Sequence, residues 1–163
     1  MKKDKIFVRD NLIKKQYVQE IYKTLAGVNF PWYYNKSTAD SSKEEFYFHF
    51  THVFFKDNSI HSKYFYLIKP IIDKIKIKKI RRIKANLTTF YHKISLFPTH
   101  ADYSDNSDNL DKAKTGIYYV NNNNGKTIFP DIKKEIQSKE NRFVFFPVAT
   151  RHSGTTHTDE KIR

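Results

Sequence analysis

The second half of the chain is a succession of short strand-like segments with turn-forming residues between them. Alternating or continuously apolar patterns, rich in β-branched and aromatic residues, occupy residues 81–88, 91–97, 115–120, 126–129 and 141–147. The Asn-Gly pair that closes residues 121–125 predicts a hairpin between the third and fourth of these segments. Many short strands separated in this way favour a β-sandwich or jelly roll over a parallel sheet.

The first half of the chain combines helical and aromatic patterns. In residues 10–25 the apolar side chains follow a helical period, Asp10 or Asn11 can cap the start, and Gly27 can end the helix. Residues 62–75 predict a second helix, which Pro70 should kink or split. Aromatic segments at residues 30–34 and 46–55 are typical of strands.

These patterns predict one mainly β (α+β) domain that spans residues 1–163. We expect a helical and aromatic N-terminal support over about residues 1–79 and a β core over about residues 80–163. No apolar run approaches the ~20 residues of a membrane helix, and no apolar signal core follows residues 1–5. We therefore expect a soluble cytoplasmic protein without a membrane partner, in the host cytoplasm if the chain is viral.

Composition excludes several classes of site. The chain contains no cysteine, which excludes disulfides, thiolate zinc sites and cysteine nucleophiles and leaves histidine and carboxylate as metal ligands. The glycine-rich loops that bind nucleotide phosphates are absent as well. Any metal site would therefore consist of nitrogen and oxygen ligands.

The formal net charge of +13 has two explanations. A basic surface attracts nucleic acid because counterions are released when it meets phosphates. Abundant Lys, Asn, Ile, Phe and Tyr are also what an AT-rich genome imposes on any protein. In the densest basic stretch, residues 69–84, the cations are interspersed with isoleucines, so these charges can simply be the solvated face of packed elements. A nucleic-acid partner stays open.

His100 and Asp102 are separated by one residue at the end of a strand-like segment, a spacing that places both side chains on one face of a strand. His152, from a distant segment, can supply a second imidazole. Two histidines and one carboxylate leave open positions on an octahedral ion, which suits non-haem Fe(II) with a chelating co-substrate and O2. Arg163 can then bind a carboxylate of that co-substrate. Another histidine pair, His49 and His52, would face opposite sides of a strand, so a shared metal is not expected there.

Six pieces of the chain, in order, carry a family resemblance. They are FPWYYN at 30–35, HAD at 100–102, TGIYYVN at 115–121, GKTIF at 125–129, NRFVFF at 141–146 and RHSGTT at 151–156. Together they resemble the prolyl 4-hydroxylase-like branch of the 2-oxoglutarate- and Fe(II)-dependent oxygenases, particularly its small phage and bacterial members. The resemblance implies a double-stranded β-helix, a jelly-roll, cupin-like core, with flanking N-terminal helices. It also implies a last strand that is cut short at Arg163.

The resemblance further implies roles for individual residues. His100, Asp102 and His152 would be the catalytic residues that bind Fe(II), while 2-oxoglutarate would chelate the ion and pair its far carboxylate with Arg163. Tyr119 matches the tyrosine that hydrogen-bonds this carboxylate, and Asn86 is a further candidate for contact with the co-substrate or the substrate. The implied reaction uses O2, converts 2-oxoglutarate to succinate and CO2, and hydroxylates a C–H bond, with ascorbate as a supporting reductant.

Three functions stay open at this point. The first is an oxygenase that hydroxylates a side chain of a protein or peptide, with proline as the first guess. The second is an oxygenase that oxidises nucleic acid, for which the positive charge is the only support. The third is not an enzyme but a basic, cupin-like binding module with a vestigial metal site.

Overall fold

The computed structural model describes residues 5–36, 48–102 and 113–163. This part of the chain forms ten β-strands and two α-helices. The strands are β1 (Phe7–Arg9), β2 (Tyr33–Asn35), β3 (His49–Lys56), β4 (Ser59–Ile60), β5 (Arg82–Leu87), β6 (Lys114–Tyr119), β7 (Lys126–Phe129), β8 (Lys134–Gln137), β9 (Arg142–Pro147) and β10 (Ser153–Gly154). The α-helices are α1 (Lys15–Leu25) and α2 (Lys69–Ile75), and 3-10 helices span Lys63–Ile68 and Pro130–Ile132.

The strands form antiparallel sheets. In the first sheet β9 lies between β1 and β6, and Phe145 pairs with both Phe7 and Gly116. In the second sheet β7 lies between β10 and β8. In the third sheet β3 pairs with β2, β4 and β5. The mainly β fold class with few helices is thereby confirmed.

Isolated residue pairs extend this pairing beyond the named strands. They are Thr89–Ile162, Leu96–Thr155 and His100–His152, all antiparallel. His100 and His152 exchange two backbone hydrogen bonds, with N to O distances of 2.9 and 2.8 Å. Two segments that are far apart in the sequence are thus joined where the metal motif begins.

β9 separates two hydrophobic clusters because its side chains alternate between the faces of the sheet. Phe143 packs in the cluster that the helices contribute to, which also contains Leu12, Val18, Ile21, Leu67 and Ile71. Val144 and Phe146 pack on the opposite face, with Tyr119, Phe129 and Ile136. Each fully buried large apolar side chain stabilises the fold by about 1.5–3 kcal/mol. The first sheet is therefore covered by apolar side chains on both faces.

The first helix begins later than the sequence predicts. α1 starts at Lys15 and has no side-chain cap. Asp10 instead forms an ion pair with Arg142, with Oδ1 and Nε 2.6 Å apart. Asn11 has a left-handed backbone with φ of 53°, and the next two backbone N–H groups donate to Asn141. The prediction that Asp10 or Asn11 caps the helix is wrong, because contacts with Arg142 of β9 and with Asn141 hold this segment outside the helix.

The predicted second helix is split at Pro70, as expected. The 3-10 helix Lys63–Ile68 comes first, and Pro70 then lies in the first turn of α2, where a missing N–H breaks no helical hydrogen bond. Ser62 caps the 3-10 helix by accepting a hydrogen bond from the backbone N–H of Tyr64 at 3.0 Å. None of the helices in the described ranges is both long and apolar enough to cross a membrane.

β6 and β7 do not form the hairpin that the Asn-Gly pair predicts. β6 pairs with β9, whereas β7 pairs with β8 and β10. The connection crosses from the first sheet to the second, and Asn121 fixes it by donating from Nδ2 to the backbone O of Ile162 at 2.8 Å. The preference of Asn-Gly for a tight turn is local, whereas the burial of apolar side chains decides which strands β7 pairs with. Phe129 of β7 packs against Phe146 of the first sheet, with ring centroids 4.9 Å apart.

Candidate metal centre

The three predicted ligand residues, His100, Asp102 and His152, lie together and form what we call the metal cluster. Each offers a ligand atom within 4.8 Å of the other two. Asp102 lies between the two imidazoles, with Oδ1 3.9 Å from Nε2 of His100 and Oδ2 3.9 Å from Nε2 of His152. The backbone pairing of the two histidines accounts for this proximity, because paired residues of neighbouring strands point to the same side.

Backbone carbonyls orient both imidazoles. Nδ1 of His100 is 3.2 Å from the O of Pro98, and Nδ1 of His152 is 3.1 Å from the O of Thr150. Since a carbonyl can only accept, the neutral tautomer that satisfies these hydrogen bonds carries its proton on Nδ1 and leaves Nε2 as the metal-binding atom. Metal-binding histidines are normally held by such a second hydrogen bond. Burial also lowers the pKa of His152, which favours the neutral ring that a metal ligand requires.

The carboxylate and the buried imidazole are each held by β-strand residues. Thr115 of β6 donates from Oγ1 to Oδ2 of Asp102 at 2.5 Å. His152 packs against Phe146 and Phe129, with ring centroids 4.9 and 6.2 Å away. The side chains of His100 and Asp102 keep 36% and 26% of their surface exposed, against 8% for His152. Among the residues that the structure describes, the cluster is therefore closed on the His152 side and exposed on the side of His100 and Asp102, which we call the mouth.

The spacing of the cluster suits one divalent ion. Ligand atoms about 2.1 Å from an ion and at right angles to one another lie about 3 Å apart. In the structure the carboxylate oxygens lie 3.9 Å from the two Nε2 atoms, about 1 Å farther than this spacing. Two imidazoles and one carboxylate on one side of an octahedral ion leave the other side free, as in non-haem Fe(II) sites.

Arg163 is held in the interior by three protein oxygen atoms. Nε donates to Oγ of Ser138 at 3.0 Å, Nη1 to the O of Thr155 at 2.5 Å, and Nη2 to the O of Lys126 at 3.2 Å. A guanidinium has five N–H groups, so two of those on Arg163 have no partner among residues 5–36, 48–102 and 113–163 and could bind a carboxylate. Thr155 lies three residues after His152, about 10 Å along an extended segment. A five-carbon dicarboxylate bound at both ends can bridge such a distance.

Tyr119 lies close to Arg163. Its hydroxyl donates to Oγ1 of Thr127 at 2.7 Å. Burial raises the pKa of Tyr119, whereas the Thr127 hydrogen bond and the nearby Arg163 guanidinium oppose that shift. Tyr118 points to the other face of β6 and donates to Oδ1 of Asn141 at 3.2 Å. Tyr118 and Tyr119 thus lie on opposite faces of β6, and Thr127 is a polar neighbour of Tyr119 that the sequence does not single out.

Asn86 lies on β5, in register with Thr51 of β3. The same face of β5 carries Lys84, since residues two apart on a strand share a face. Burial is the main cause that lowers the pKa of Lys84, followed by the charge of Arg82, and the Asp102 carboxylate raises it. The sequence does not single out Lys84, because it is one of many cations in a basic stretch.

His52, of the second histidine pair, is held by two protein oxygen atoms. Nδ1 of His52 is 2.8 Å from the O of Pro31, and Nε2 is 2.7 Å from Oγ of Ser62. Both ring nitrogens of His52 are therefore occupied by hydrogen bonds that hold β3 to neighbouring segments. His49 lies on the opposite face of β3, which is the face that carries Thr51.

No protein-family model matches the chain, and no curated protein matches its sequence. Among solved structures the chain is similar to the crystal structure of a viral collagen prolyl hydroxylase from Paramecium bursaria Chlorella virus 1, a 2-oxoglutarate complex. The TM-score is 0.62 at 16% sequence identity, and the match covers 96% of this chain and 91% of the viral enzyme. At the level of the fold, this similarity confirms the resemblance to prolyl 4-hydroxylase-like oxygenases.

Proposed function

We propose that the protein is an Fe(II)- and 2-oxoglutarate-dependent dioxygenase that hydroxylates a C–H bond. The observation that carries this proposal is the metal cluster: two imidazoles with free Nε2 lone pairs and one carboxylate, open to solvent on one side. The similarity to an enzyme solved with 2-oxoglutarate adds support from the fold.

The β core, on this proposal, is a double-stranded β-helix. One of its two sheets would combine residues 95–100 and 152–156 with β7 and β8, through the pairs Leu96–Thr155, Ser153–Ile128 and Ile128–Glu135. The other would combine β5, residues 161–163, β6 and β9, for which the Thr89–Ile162 pair and the β6–β9 ladder are the support. In this fold the metal lies between the two sheets at one end of the core.

The iron and 2-oxoglutarate would supply the oxidising chemistry, in which O2 is consumed, succinate and CO2 are released, and a C–H bond becomes C–OH. His100, Asp102 and His152 would hold the ion. Thr115 would keep the carboxylate in place through its short hydrogen bond. The aromatic rings beside His152 would exclude water from the closed side of the cluster.

The co-substrate would extend from the cluster into the interior. The two N–H groups of Arg163 that the protein leaves available would bind its far carboxylate in the forked geometry that favours arginine. The Tyr119 hydroxyl, already paired with Thr127, would add a polar contact beside it. Asn86 would contact the co-substrate or the substrate from the side of β5.

The primary substrate would be a side chain of a protein or peptide, with proline as the first choice. The support is the viral structural neighbour, which is a collagen prolyl hydroxylase.

Metal binding and turnover of 2-oxoglutarate test the proposal directly. The purified chain should bind Mn(II), a redox-inert stand-in, in a titration that follows the EPR signal of free Mn(II). With Fe(II), ascorbate and proline-containing peptides it should release succinate and add one oxygen atom to the peptide, measured by mass spectrometry. His100→Ala and Asp102→Ala should reduce both readouts to background, because each removes a ligand.

His92→Ala is the matched control, since His92 is an exposed histidine outside the cluster. It should leave metal binding and turnover unchanged. Absence of Mn(II) binding, or absence of succinate with every peptide tested, contradicts the oxygenase proposal. Strongly salt-dependent DNA binding that persists in His100→Ala, without any turnover, would instead identify a non-catalytic basic binding module.

A further inference from the structure

Residues 74–82, which run from the end of α2 into β5, concentrate the positive charge of the chain. The segment reads KIKIKKIRR, so its nine residues carry six cations and no acidic residue, and they supply six of the thirteen net charges. The remaining 154 of the 163 residues hold 24 of the 30 cations together with all 17 acidic residues. An AT-rich genome raises the lysine content along a whole chain, so it does not explain a concentration in one place. We call residues 74–82 the basic segment.

The cations of the basic segment are exposed and have few acidic neighbours. The exposed residues are Lys74, Lys76, Lys78, Lys79, Arg81 and Arg82. Asp73, the residue before the segment, pairs with Lys69, with Oδ2 and Nζ 3.0 Å apart. Asp57, in the turn between β3 and β4, pairs with Lys56 at 3.4 Å. Within residues 5–36, 48–102 and 113–163, the four lysines of the segment and Arg82 form no ion pair.

Cations elsewhere on the described surface do pair with carboxylates. They are Lys126 with Glu135, Lys139 and Arg142 with Asp10, and Arg151 with Asp131. The basic segment therefore differs from these regions in pairing as well as in composition. Its charge is left for a partner outside the described residues.

The basic segment borders a groove beside the turn between β3 and β4. The groove is lined by Asp57, Asn58, Lys79, Ile80 and Arg81. Lys56, the last residue of β3, lies directly opposite Arg82 in the register of β3 and β5, which extends the positive surface onto the third sheet. Like charges opposite each other on neighbouring strands repel and destabilise a sheet. A bound anion would remove this repulsion.

We propose that the basic segment is a docking surface for the sugar–phosphate backbone of a double-stranded nucleic acid. A duplex carries one negative charge per about 1.7 Å of its axis, and each cation that meets a phosphate releases condensed counterions. Six cations within nine residues match such a dense array of charge. This surface goes beyond the oxygenase reaction, because none of its residues belongs to the metal cluster.

The side chains of the basic segment favour a duplex over a single strand. Proteins that bind single strands stack the bases on aromatic side chains, and the basic segment contains no aromatic residue. Contacts to phosphates alone position a protein on a duplex but carry no sequence information. Binding should therefore be independent of base sequence.

The same side chains disfavour a lipid surface. A segment that lies in a membrane interface buries a broad apolar face among the lipids. Within residues 74–82, Ile77 is the one large apolar side chain that is exposed. The cations Lys79 and Arg81 line a groove, which a rounded strand of phosphates can enter and a flat bilayer cannot.

Fluorescence anisotropy with the full chain tests the inference. The probes are short fluorescein-labelled duplexes of DNA and of RNA, each in two unrelated sequences, so that the two kinds of duplex identify which nucleic acid supplies the backbone. The two sequences of the preferred kind should bind within about twofold of each other. The logarithm of the affinity should fall linearly with the logarithm of the salt concentration, with a slope of about −5 if all six cations meet phosphates.

A triple variant that carries Lys74→Gln, Lys78→Gln and Lys79→Gln should bind the duplex at least about tenfold more weakly at about 100 mM salt, and its slope should be shallower by about 3. The same three lysines replaced by arginine should retain both the affinity and the slope. The matched control carries Lys14→Gln, Lys15→Gln and Lys23→Gln, since these exposed lysines at α1 remove the same net charge. It should change the affinity by less than about threefold.

Four results would overturn the inference. They are no saturable duplex binding by the unmodified chain at about 50 mM salt, a slope shallower than about −2, an equal loss of affinity in both glutamine triple variants, and segment-dependent binding that is tighter to a single-stranded oligonucleotide or to phosphatidylserine-containing vesicles. Superimposable thermal melting curves verify that the glutamine variants are folded. His100→Ala should bind the duplex as the unmodified chain does, so failure of duplex binding leaves the proposed oxygenase function standing.

Discussion

Replacing Thr115 by valine removes one hydrogen bond from the metal cluster while it preserves the shape of the side chain. Thr115 donates from Oγ1 to Oδ2 of Asp102 at 2.5 Å, and the hydroxyl is part-buried. A hydrogen bond to a charged group contributes about 1.5–3 kcal/mol. Without it the Asp102 side chain is free to rotate away from the two imidazoles, whose Nε2 atoms lie 3.9 Å from its oxygens.

We therefore expect Thr115→Val to weaken Mn(II) binding by about 10–100-fold, the range that loss of an outer-shell partner typically produces. The assay is a titration that follows the EPR signal of free Mn(II), repeated with Thr115→Ser, which keeps the hydroxyl and should bind within a few-fold of the unmodified chain. If the Thr115→Val variant binds Mn(II) within about twofold of the unmodified chain, Thr115 does not hold the Asp102 carboxylate and the role assigned to it is wrong.

Three further predictions concern co-substrate binding and stability. Arg163→Met should raise the KM for 2-oxoglutarate by about 100-fold, as expected for loss of a forked charged pair, and leave Mn(II) affinity intact; an unchanged KM would contradict the assignment. The pKa of His49 falls from 6.5 to about 4 on folding, so the folded state favours the neutral ring. The contribution of His49 to the free energy of unfolding is therefore complete above pH 6.5 and is lost as the pH falls toward 4. Urea unfolding should show that the free energy of unfolding falls by about 3 kcal/mol more between pH 7 and pH 4 in the unmodified chain than in His49→Gln. The same pH dependence in both proteins would contradict this. Phe146→Ala should lower the free energy of unfolding by about 3–5 kcal/mol, because Phe146 is 0% exposed, whereas Val8→Ala at an exposed position should change it by less than about 0.5 kcal/mol.

The features that could be anticipated from the sequence depend on short spacings. The one-residue gap that brings His100 and Asp102 together and the split of the second helix at Pro70 both act within one strand or one turn. Backbone geometry alone fixes the direction of a side chain over such distances. The location of His152 could be anticipated for a different reason, namely the order of motifs in which the chain resembles prolyl 4-hydroxylase-like oxygenases.

The features that the sequence did not predict depend on partners far along the chain. Asp10 is withdrawn from helix capping by Arg142, and the backbone N–H of Ile13 donates to Oδ1 of Asn141, 128 residues away. β7 joins β8 and β10 because burial outweighs the local turn preference. Lys84 lies opposite Val53 of β3, a pairing between residues 31 positions apart that the basic stretch around Lys84 does not predict.

The two backbone hydrogen bonds between His100 and His152 make the imidazole ligands part of the sheet ladder, and this has a consequence for the order of assembly. Two ligand residues that are held by backbone hydrogen bonds do not need an ion to come together. A zinc finger differs, because that domain is unfolded without its metal. The chain should fold first and take up its ion afterwards. Chelators would then empty the site without unfolding the protein, and the ion that occupies it in a cell would be set by which divalent metal is available at that moment.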